Sequence, residues 1–195
     1  MYLTDTEILK AWQEGRIICD PLGDPADTEW PTRLAGVSID LRLDSILKIS
    51  RRMHRDWTDE WFLNSEDNYG RPNNYWLQPG ESVLGCTIET VGTTADSGLL
   101  CNLHGKSSLA RNFIGVVADA GQGDPAFARL WTLEIINKSP HAFCLKYGMK
   151  ICQARFEETL GKVHYSYTTE NGHNYAEQTG PTNGTLRTVY GGTRN

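Results

Sequence analysis

The stretch Gly36-Val-Ser-Ile-Asp-Leu-Arg-Leu43 places an apolar side chain at every second position. Successive side chains of a β-strand point to opposite faces, so this period of two predicts a strand with one buried face. The same period returns at residues 84–88, after the turn signal Pro79-Gly80. Both segments are therefore predicted to be strands with one face in a core.

Further short strands follow along the chain. The sequence predicts them at residues 98–103, 113–118, 130–136, 142–146 and 150–156, with turns at Ser139-Pro140 and Tyr147-Gly148. Short strands at this spacing are typical of a mainly β sandwich or barrel of jelly-roll type. The chain has 195 residues, with 19 Gly, 8 Pro and 39% apolar residues, which suits one β-rich domain with many turns.

Several segments depart from the strand pattern. The capping box Thr4-Asp5-Thr6-Glu7, followed before Gly15 by apolar residues on one face (Ile8, Leu9 and Trp12), predicts a short N-terminal helix. Residues 20–35 carry prolines and acids and are expected to form an irregular crossing segment. Residues 51–76 are too aromatic for a disordered linker, so we expect an ordered excursion that covers part of the molecule.

The chain changes character near residue 160. Residues 161–195 are polar and rich in glycine, so we expect a β domain over residues 1–160 and a C-terminal arm after it, closing over an active site.

Charge and composition restrict the partners. The formal net charge of −5 argues against a nucleic acid, because a polyanion partner requires a cationic face. No apolar run approaches the length of a membrane span, and nothing in the first thirty residues resembles a signal peptide. We therefore expect no membrane partner and a cytoplasmic location, with the five cysteines as buried free thiols.

The densest group of polar side chains is Gly105-Lys-Ser-Ser-Leu-Ala-Arg111. Its two cations, two hydroxyls and backbone N–H groups could bind phosphate oxygens. The same residues also suit a solvated turn that begins a short helix, with Ser107 or Ser108 as the cap. The glycine arrangement of a Walker A loop is absent.

A carboxylate stands in the middle of the apolar strand Leu130-Trp-Thr-Leu-Glu-Ile-Ile136. Alternation places Glu134 on the face opposite Trp131, Leu133 and Ile135. In an arbitrary strand such a glutamate faces solvent or an ion pair, whereas a buried one could act as a general acid and base.

The turn Ala120-Gly-Gln-Gly-Asp-Pro-Ala-Phe127 brings an acid and an aromatic ring close together. It is compatible with an ordinary β-turn, or with a site in which Asp124 accepts from a sugar hydroxyl and Phe127 packs on deoxyribose. The His-x-Glu and Pro-Cys-x-x-Cys signature of zinc deaminases is absent, so no zinc is expected.

These three stretches, followed by Gly148-Met-Lys-Ile-Cys-Gln153, together resemble the dCTP deaminases of the trimeric dUTPase superfamily. The similarity extends outward through residues 36–43 and 78–81 on one side and 175–181 on the other. It implies a distorted jelly-roll subunit of the dUTPase-like (β-clip) type. It also implies a homotrimer with active sites shared between subunits, which deaminates dCTP to dUTP and ammonia.

The resemblance also implies roles for single residues. Glu134 would activate water and shuttle protons, Ser107 would position that water, and Arg111 would pair with Glu134. Asp124 would hold the 3′-hydroxyl, and magnesium would arrive with the triphosphate. Phosphate contacts are implied for Lys106, Ser108 and Gln153, and further substrate contacts for Ala120, Gly121, Phe127, Thr132, Leu133, Tyr167, Asn174 and Gln178.

Three positions depart from the common pattern of that family. Lys106 replaces an arginine, so a bidentate phosphate contact becomes a point charge. Asn174 stands where the arm usually has a phosphate-binding lysine, which leaves a deaminase that accepts dCMP as an alternative. Ala120-Gly121 lacks the histidine of deaminases that stop at dUTP, and resembles bifunctional members that continue to dUMP and pyrophosphate.

Two further alternatives are a plain dUTPase and, from a different class, a non-enzymatic binding module. A plain dUTPase would not need Glu134 in its strand. A trimer that only binds nucleotides would not need a proton shuttle together with Ser107 and Arg111.

Overall fold

The computed structural model describes residues 1–21, 33–50, 57–67, 69–168, 173 and 175–184. Its elements, in chain order, are α1 (Asp5–Gln13), β1 (Ile17–Asp20), β2 (Leu34–Ala35), β3 (Ser38–Arg42), β4 (Ile46–Ser50), β5 (Trp57–Phe62), β6 (Tyr75–Leu77), β7 (Ser82–Thr93), β8 (Leu99–Gly105), α2 (Ser107–Ala110), β9 (Ile114–Gly115), β10 (Gln122–Gly123), β11 (Ala128–Asn137), β12 (Phe143–Leu145) and β13 (Lys150–Glu158). The protein is mainly β, as the alternating pattern predicts.

The strands form two main antiparallel sheets and a small one. The first has the order β5-β4-β7-β11-β9, with β1 also paired to β7. The second has the order β10-β8-β13-β3-β2, and β12 pairs with β6. One hydrophobic core takes side chains from both main sheets, among them Ile39, Leu103 and Phe156 of the second and Val83 and Leu133 of the first. This shared core makes the molecule a β-sandwich.

The N-terminal helix is present where the sequence predicts it, but its predicted capping box is wrong. Thr4 is the N-cap residue, yet its side chain caps no backbone N–H and instead lies 3.0 Å from the Thr6 hydroxyl. Ile8 and Ala11 are fully buried, so packing of this face rather than a cap stabilises the helix.

Most predicted strands are confirmed within a few residues of their predicted ends. The exception is 113–118, where only Ile114–Gly115 pairs with β11. Phe113 adopts a left-handed backbone (φ 59°), which prevents the strand from beginning there. All five cysteines are free thiols, and Cys19, Cys86, Cys101 and Cys152 are buried.

Two connecting segments are partly described. In the excursion at 51–76, β5 pairs with β4, and the Trp61 indole donates to the Asn73 carbonyl at 3.1 Å. The structure does not describe residues 22–32, 51–56 and Asn68. Most of the crossing segment predicted at 20–35 therefore lies outside the described residues. No described helix is long and apolar enough to cross a membrane.

Candidate active site

An irregularity in the central strand pair points Glu134 toward a cavity. Leu130 pairs with Thr90 and Thr132 with Cys86, so a single β11 residue lies opposite three residues of β7. Trp131 donates its backbone N–H to the Thr87 hydroxyl at 3.0 Å. Such bulges re-aim the side chains that follow them.

Beyond the bulge, the alternation of β11 is the predicted one. Trp131, Leu133 and Ile135 are buried, while Thr132 and Glu134 are partly exposed on the other face. Glu134 is therefore neither a core residue nor a freely solvated one.

A cavity of about 510 Å³ lies against this face of β11. Its walls combine apolar rings with a few polar groups, which is the usual composition of a small-molecule site. The described lining residues are Leu84, Ala120, Gln122, Gly123, Asp124, Phe127, Trp131, Thr132, Glu134, Tyr167, Tyr175, Gln178, Thr182 and Gly184.

The two carboxylates of the cavity are held differently. Glu134 Oε2 accepts a long hydrogen bond of 3.4 Å from the Ala118 backbone N–H. Asp124 Oδ1 accepts from the Gln122 side-chain amide at 3.1 Å. In the described part of the chain neither carboxylate has a cationic partner in an ion pair.

Aromatic rings form the apolar wall. Phe127 makes edge contacts with Trp131 and Tyr167, at centroid distances of 4.8 and 5.1 Å. Tyr167 in turn stacks on His173 at 4.1 Å. Burial raises the pKa of the Tyr167 phenol, with a smaller contribution from Asp124, so this hydroxyl remains a proton donor at neutral pH.

The 120–127 turn is packed more tightly than its sequence suggests. A Cβ atom at Gly121 would lie 2.6 Å from the Leu103 carbonyl oxygen, and one at Gly123 would lie 2.6 Å from the Trp131 ring. Gly121 therefore faces β8, whereas Ala120 lines the cavity. A side chain at position 121 would therefore meet β8.

The described part of the C-terminal arm lies over β11. Arg129 donates to the Ala176 carbonyl at 2.6 Å, and the Gln178 side chain donates to the Leu130 carbonyl. The Thr182 N–H donates to the Thr132 hydroxyl at 3.0 Å. These bonds bring arm residues into the wall of the cavity, whereas Asn174 lies outside the described residues.

The segment at 105–111 forms a separate group. Ser107, Ser108 and Arg111 are exposed on and after the short helix α2, and Lys106, rather than either serine, is its N-cap residue. None of these four residues is among the described lining residues of the cavity, and no described contact joins Arg111 to Glu134.

The structure therefore divides the predicted site residues into two groups. Seven line the cavity: Ala120, Asp124, Phe127, Thr132, Glu134, Tyr167 and Gln178. Lys106 and Gln153 instead meet at Asp40, away from that group. Leu133 is fully buried in the core and is not among the described lining residues.

Sequence reasoning missed several wall residues and one buried acid. Trp131 was assigned to the core by alternation, and Tyr175 and Thr182 belong to an arm that carries no periodic pattern. Asp40 lies in the quoted strand 36–43, but its partners are 66 and 113 residues away in sequence. The prediction that this strand buries only one face is wrong, because residues 38–41 are all buried, so alternation gives no signal that identifies Asp40.

Comparison with known proteins gives consistent results. A sequence profile described as dCTP deaminase-like matches residues 2–159. The "dCTP deaminase, dUMP-forming" of Dictyoglomus thermophilum is 38% identical over 189 residues, covering 93% of this chain and 93% of that protein. The "dCTP deaminase" of Natronomonas pharaonis is 33% identical over 193 residues, covering 93% and 92%.

A solved structure shares the fold. It is the 2′-deoxycytidine 5′-triphosphate deaminase of Agrobacterium tumefaciens, with a TM-score of 0.58 and 19% identity. The match covers 80% of this chain and 48% of that chain, so this protein spans about half the length of that neighbour. The predicted mainly β fold of this type, with a short N-terminal helix, is confirmed. By its sequence profile and its relatives, the chain belongs to the dCTP deaminase-like family.

Proposed function

We propose that this protein is an enzyme that hydrolytically deaminates dCTP to dUTP and ammonia, in the pyrimidine deoxynucleotide metabolism of the cytoplasm. The observation that carries the proposal is Glu134, a carboxylate without a described cationic partner on the wall of a cavity lined by aromatic rings. Relatives named dCTP deaminase, 31–38% identical over more than 90% of the chain, support the choice of substrate.

The reaction requires two proton transfers that one carboxylate can perform. Water adds to C4 of cytosine while Glu134 removes a proton from that water. Glu134 then delivers the same proton to N3. Glu134 then takes the remaining proton of the new C4 hydroxyl and delivers it to the amino group. The C4–N bond breaks, ammonia leaves, and the C4 carbonyl of uracil forms. The weak 3.4 Å bond from Ala118 leaves most of the acceptor capacity of Glu134 for the water.

Positioning of the substrate would rest on the remaining cavity residues. Asp124 would accept from the 3′-hydroxyl, and Phe127 would pack against the deoxyribose ring. Thr132 and Gln178 lie beside the β11 bulge, where a base could bind between strand and arm.

The groups outside the cavity are assigned to a second subunit. Ser107 and Arg111 are exposed, so in a homotrimer they can reach the Glu134 of a neighbouring chain. Ser107 would then position the water, and Arg111 would compensate the charge of Glu134. Lys106, Ser108 and Gln153 would bind the phosphates of the same nucleotide.

Magnesium would accompany the triphosphate. Among the described residues no group of three or more His, Cys, Asp or Glu side chains is placed to hold a metal ion. The donor set therefore fits an ion whose ligands are largely phosphate oxygens, and the metal would neutralise phosphate charge during binding.

A second candidate function is the bifunctional reaction that continues from dUTP to dUMP and pyrophosphate. Relatives that are 38%, 36% and 34% identical carry the name dUMP-forming. The small side chain of Ala120 beside Asp124 leaves room for a water near the sugar and the first phosphate. Whether dCMP is also accepted depends on phosphate selectivity. Replacing dCTP by dCMP in the assay below tests it.

One product analysis tests both functions. Incubation with dCTP and magnesium should release ammonia, and Glu134→Gln should lower that rate by about 10²–10⁴-fold while the Kd for dCTP stays within a few-fold. Ammonia release that survives this substitution would contradict the role of Glu134. Accumulation of dUMP with pyrophosphate supports the bifunctional reaction, whereas dUTP that persists after dCTP is consumed excludes it.

A further inference from the structure

Asp40 connects two residues that lie far apart in sequence. Its Oδ1 atom accepts from the Lys106 ammonium and, at 3.0 Å, from the Gln153 side-chain amide. Its Oδ2 atom lies 3.5 Å from the ammonium of Lys150. Asp40 is 7% exposed, so this carboxylate is held inside the protein by donors whose far sides approach solvent.

The sheet fixes this arrangement. Asp40 of β3 pairs with Gln153 of β13, and Gln153 pairs on its other side with His104 of β8. Two residues after His104 comes Lys106, immediately before α2. Three neighbouring strands thus bring the carboxylate, the amide and the ammonium to one place.

We propose that Asp40 is a positioning residue, which holds Lys106 and Gln153 side by side as preformed donors for the phosphates of the nucleotide. This inference rests on the proposed function, which assigns the phosphate contacts to Lys106 and Gln153. An ammonium has three N–H groups, and Asp40 is its partner in the described part of the chain, so donors remain for a phosphate.

The alternative is that Asp40 competes with phosphate as an internal anion. For Lys106 and Gln153 to leave it, a carboxylate that is only 7% exposed would lose two of its donors, which is costly. We therefore expect phosphate to join the cluster rather than to displace Asp40. A tethered lysine also loses less rotamer freedom on binding than an untethered one.

The experiment compares the binding of dCTP with the binding of its two parts, deoxycytidine and inorganic tripolyphosphate. Asp40→Asn keeps the shape and one acceptor oxygen but removes the charge. Calorimetry should show about tenfold weaker binding of dCTP and of inorganic tripolyphosphate, from the restored lysine freedom. The Kd for deoxycytidine, which has no phosphate, should not change, and kcat for dCTP should stay within about threefold because no reacting atom is touched.

Two further variants separate positioning from general stability. Asp44→Asn makes the same charge change at a partly buried turn residue that accepts from the Ser45 N–H, and should leave tripolyphosphate binding unchanged. Lys106→Met should weaken tripolyphosphate binding by itself. Adding Asp40→Asn to it should weaken binding by less than Asp40→Asn does in the wild type, because only the positioning of Gln153 is then left to lose. If Asp40→Asn is poorly folded in thermal unfolding, Asp40→Glu provides the same comparison with the charge retained but displaced.

Each outcome decides the proposal. Equal loss of deoxycytidine and tripolyphosphate binding would show a structural role only, and tighter tripolyphosphate binding would show a competing anion. Either result overturns positioning. Tripolyphosphate binding does not require turnover, so a wild-type protein that releases no ammonia from dCTP would refute the proposed function without deciding the role of Asp40.

Discussion

The cavity on β11 and the α2 segment differ in burial and in charge. The cavity has apolar walls and two carboxylates without described cationic partners, and the arm lies across it. The α2 segment has hydroxyls and a guanidinium on an exposed surface, with Phe113 64% exposed beside them. In the described part of the chain the enclosed space lies in one region and the exposed guanidinium in the other, which is why the proposed site combines the two.

The largest effect is expected from combining the two regions across subunits. Arg111→Ala and Glu134→Gln should each lower deamination by about 10²–10⁴-fold. If the two variants are unfolded together in equal amounts and reassembled, about a quarter of the sites should regain wild-type activity, because each required residue is intact in half of the chains.

The control is each variant unfolded and reassembled alone, which should stay inactive. Ammonia release from dCTP is the measurement, with the oligomeric state checked by light scattering. Mixtures that remain as inactive as the single variants would refute a site shared between chains.

The same comparison shows what sequence reasoning could reach. Alternation in 130–136 predicts both the strand and the exposed face of Glu134, because a period of two depends only on neighbouring residues. The bulge opposite Thr87 has no such local signal, since it depends on how β7 and β11 pair. The predicted capping box is wrong for the opposite reason. The motif is present in the sequence, but the Thr4 hydroxyl contacts the Thr6 hydroxyl instead of a backbone N–H.

Long-range contacts explain the remaining misses. Asp40 is visible in the sequence as a strand residue, but its bond to Gln153 depends on sheet order. The space beside Gly121 is likewise set by a distant residue, because the fold places the Leu103 carbonyl there. The resemblance to a known family supplied the list of site residues, while their division into two groups comes only from the structure.

A smaller effect, on the free energy of unfolding, is expected from the backbone at Phe113, which follows α2. Phe113 has φ 59°, and its N–H and carbonyl are both engaged, with Ala110 and Lys138. Phe113→Gly should raise the free energy of unfolding by about 0.5–1 kcal/mol, because glycine adopts this conformation without a Cβ clash.

Denaturant unfolding at matched protein concentration measures this change. Phe113→Ala removes the ring but keeps the Cβ atom, so it should give no such gain. Equal effects of the two substitutions would show that the left-handed backbone costs little and that the ring alone determines the result.

The smallest effect concerns His104, which precedes the α2 segment on β8. Burial lowers the pKa of this imidazole from its usual 6.5, the Arg155 guanidinium lowers it further, and Glu157 partly opposes them. Its Nε2 atom is buried and has no hydrogen-bond partner among the described residues.

Because the pKa of His104 is lowered by folding, the unfolded chain binds the proton more tightly than the folded one. This contribution to stability is therefore present above about pH 6.5 and decreases as the pH falls below it. The difference in unfolding free energy between wild type and His104→Asn should accordingly shrink between pH 7.5 and 5.5, measured by denaturant titration. His164→Asn, at an exposed imidazole, controls for the loss of a ring, and a difference that grew toward acid pH would mean that Glu157 rather than Arg155 dominates this position.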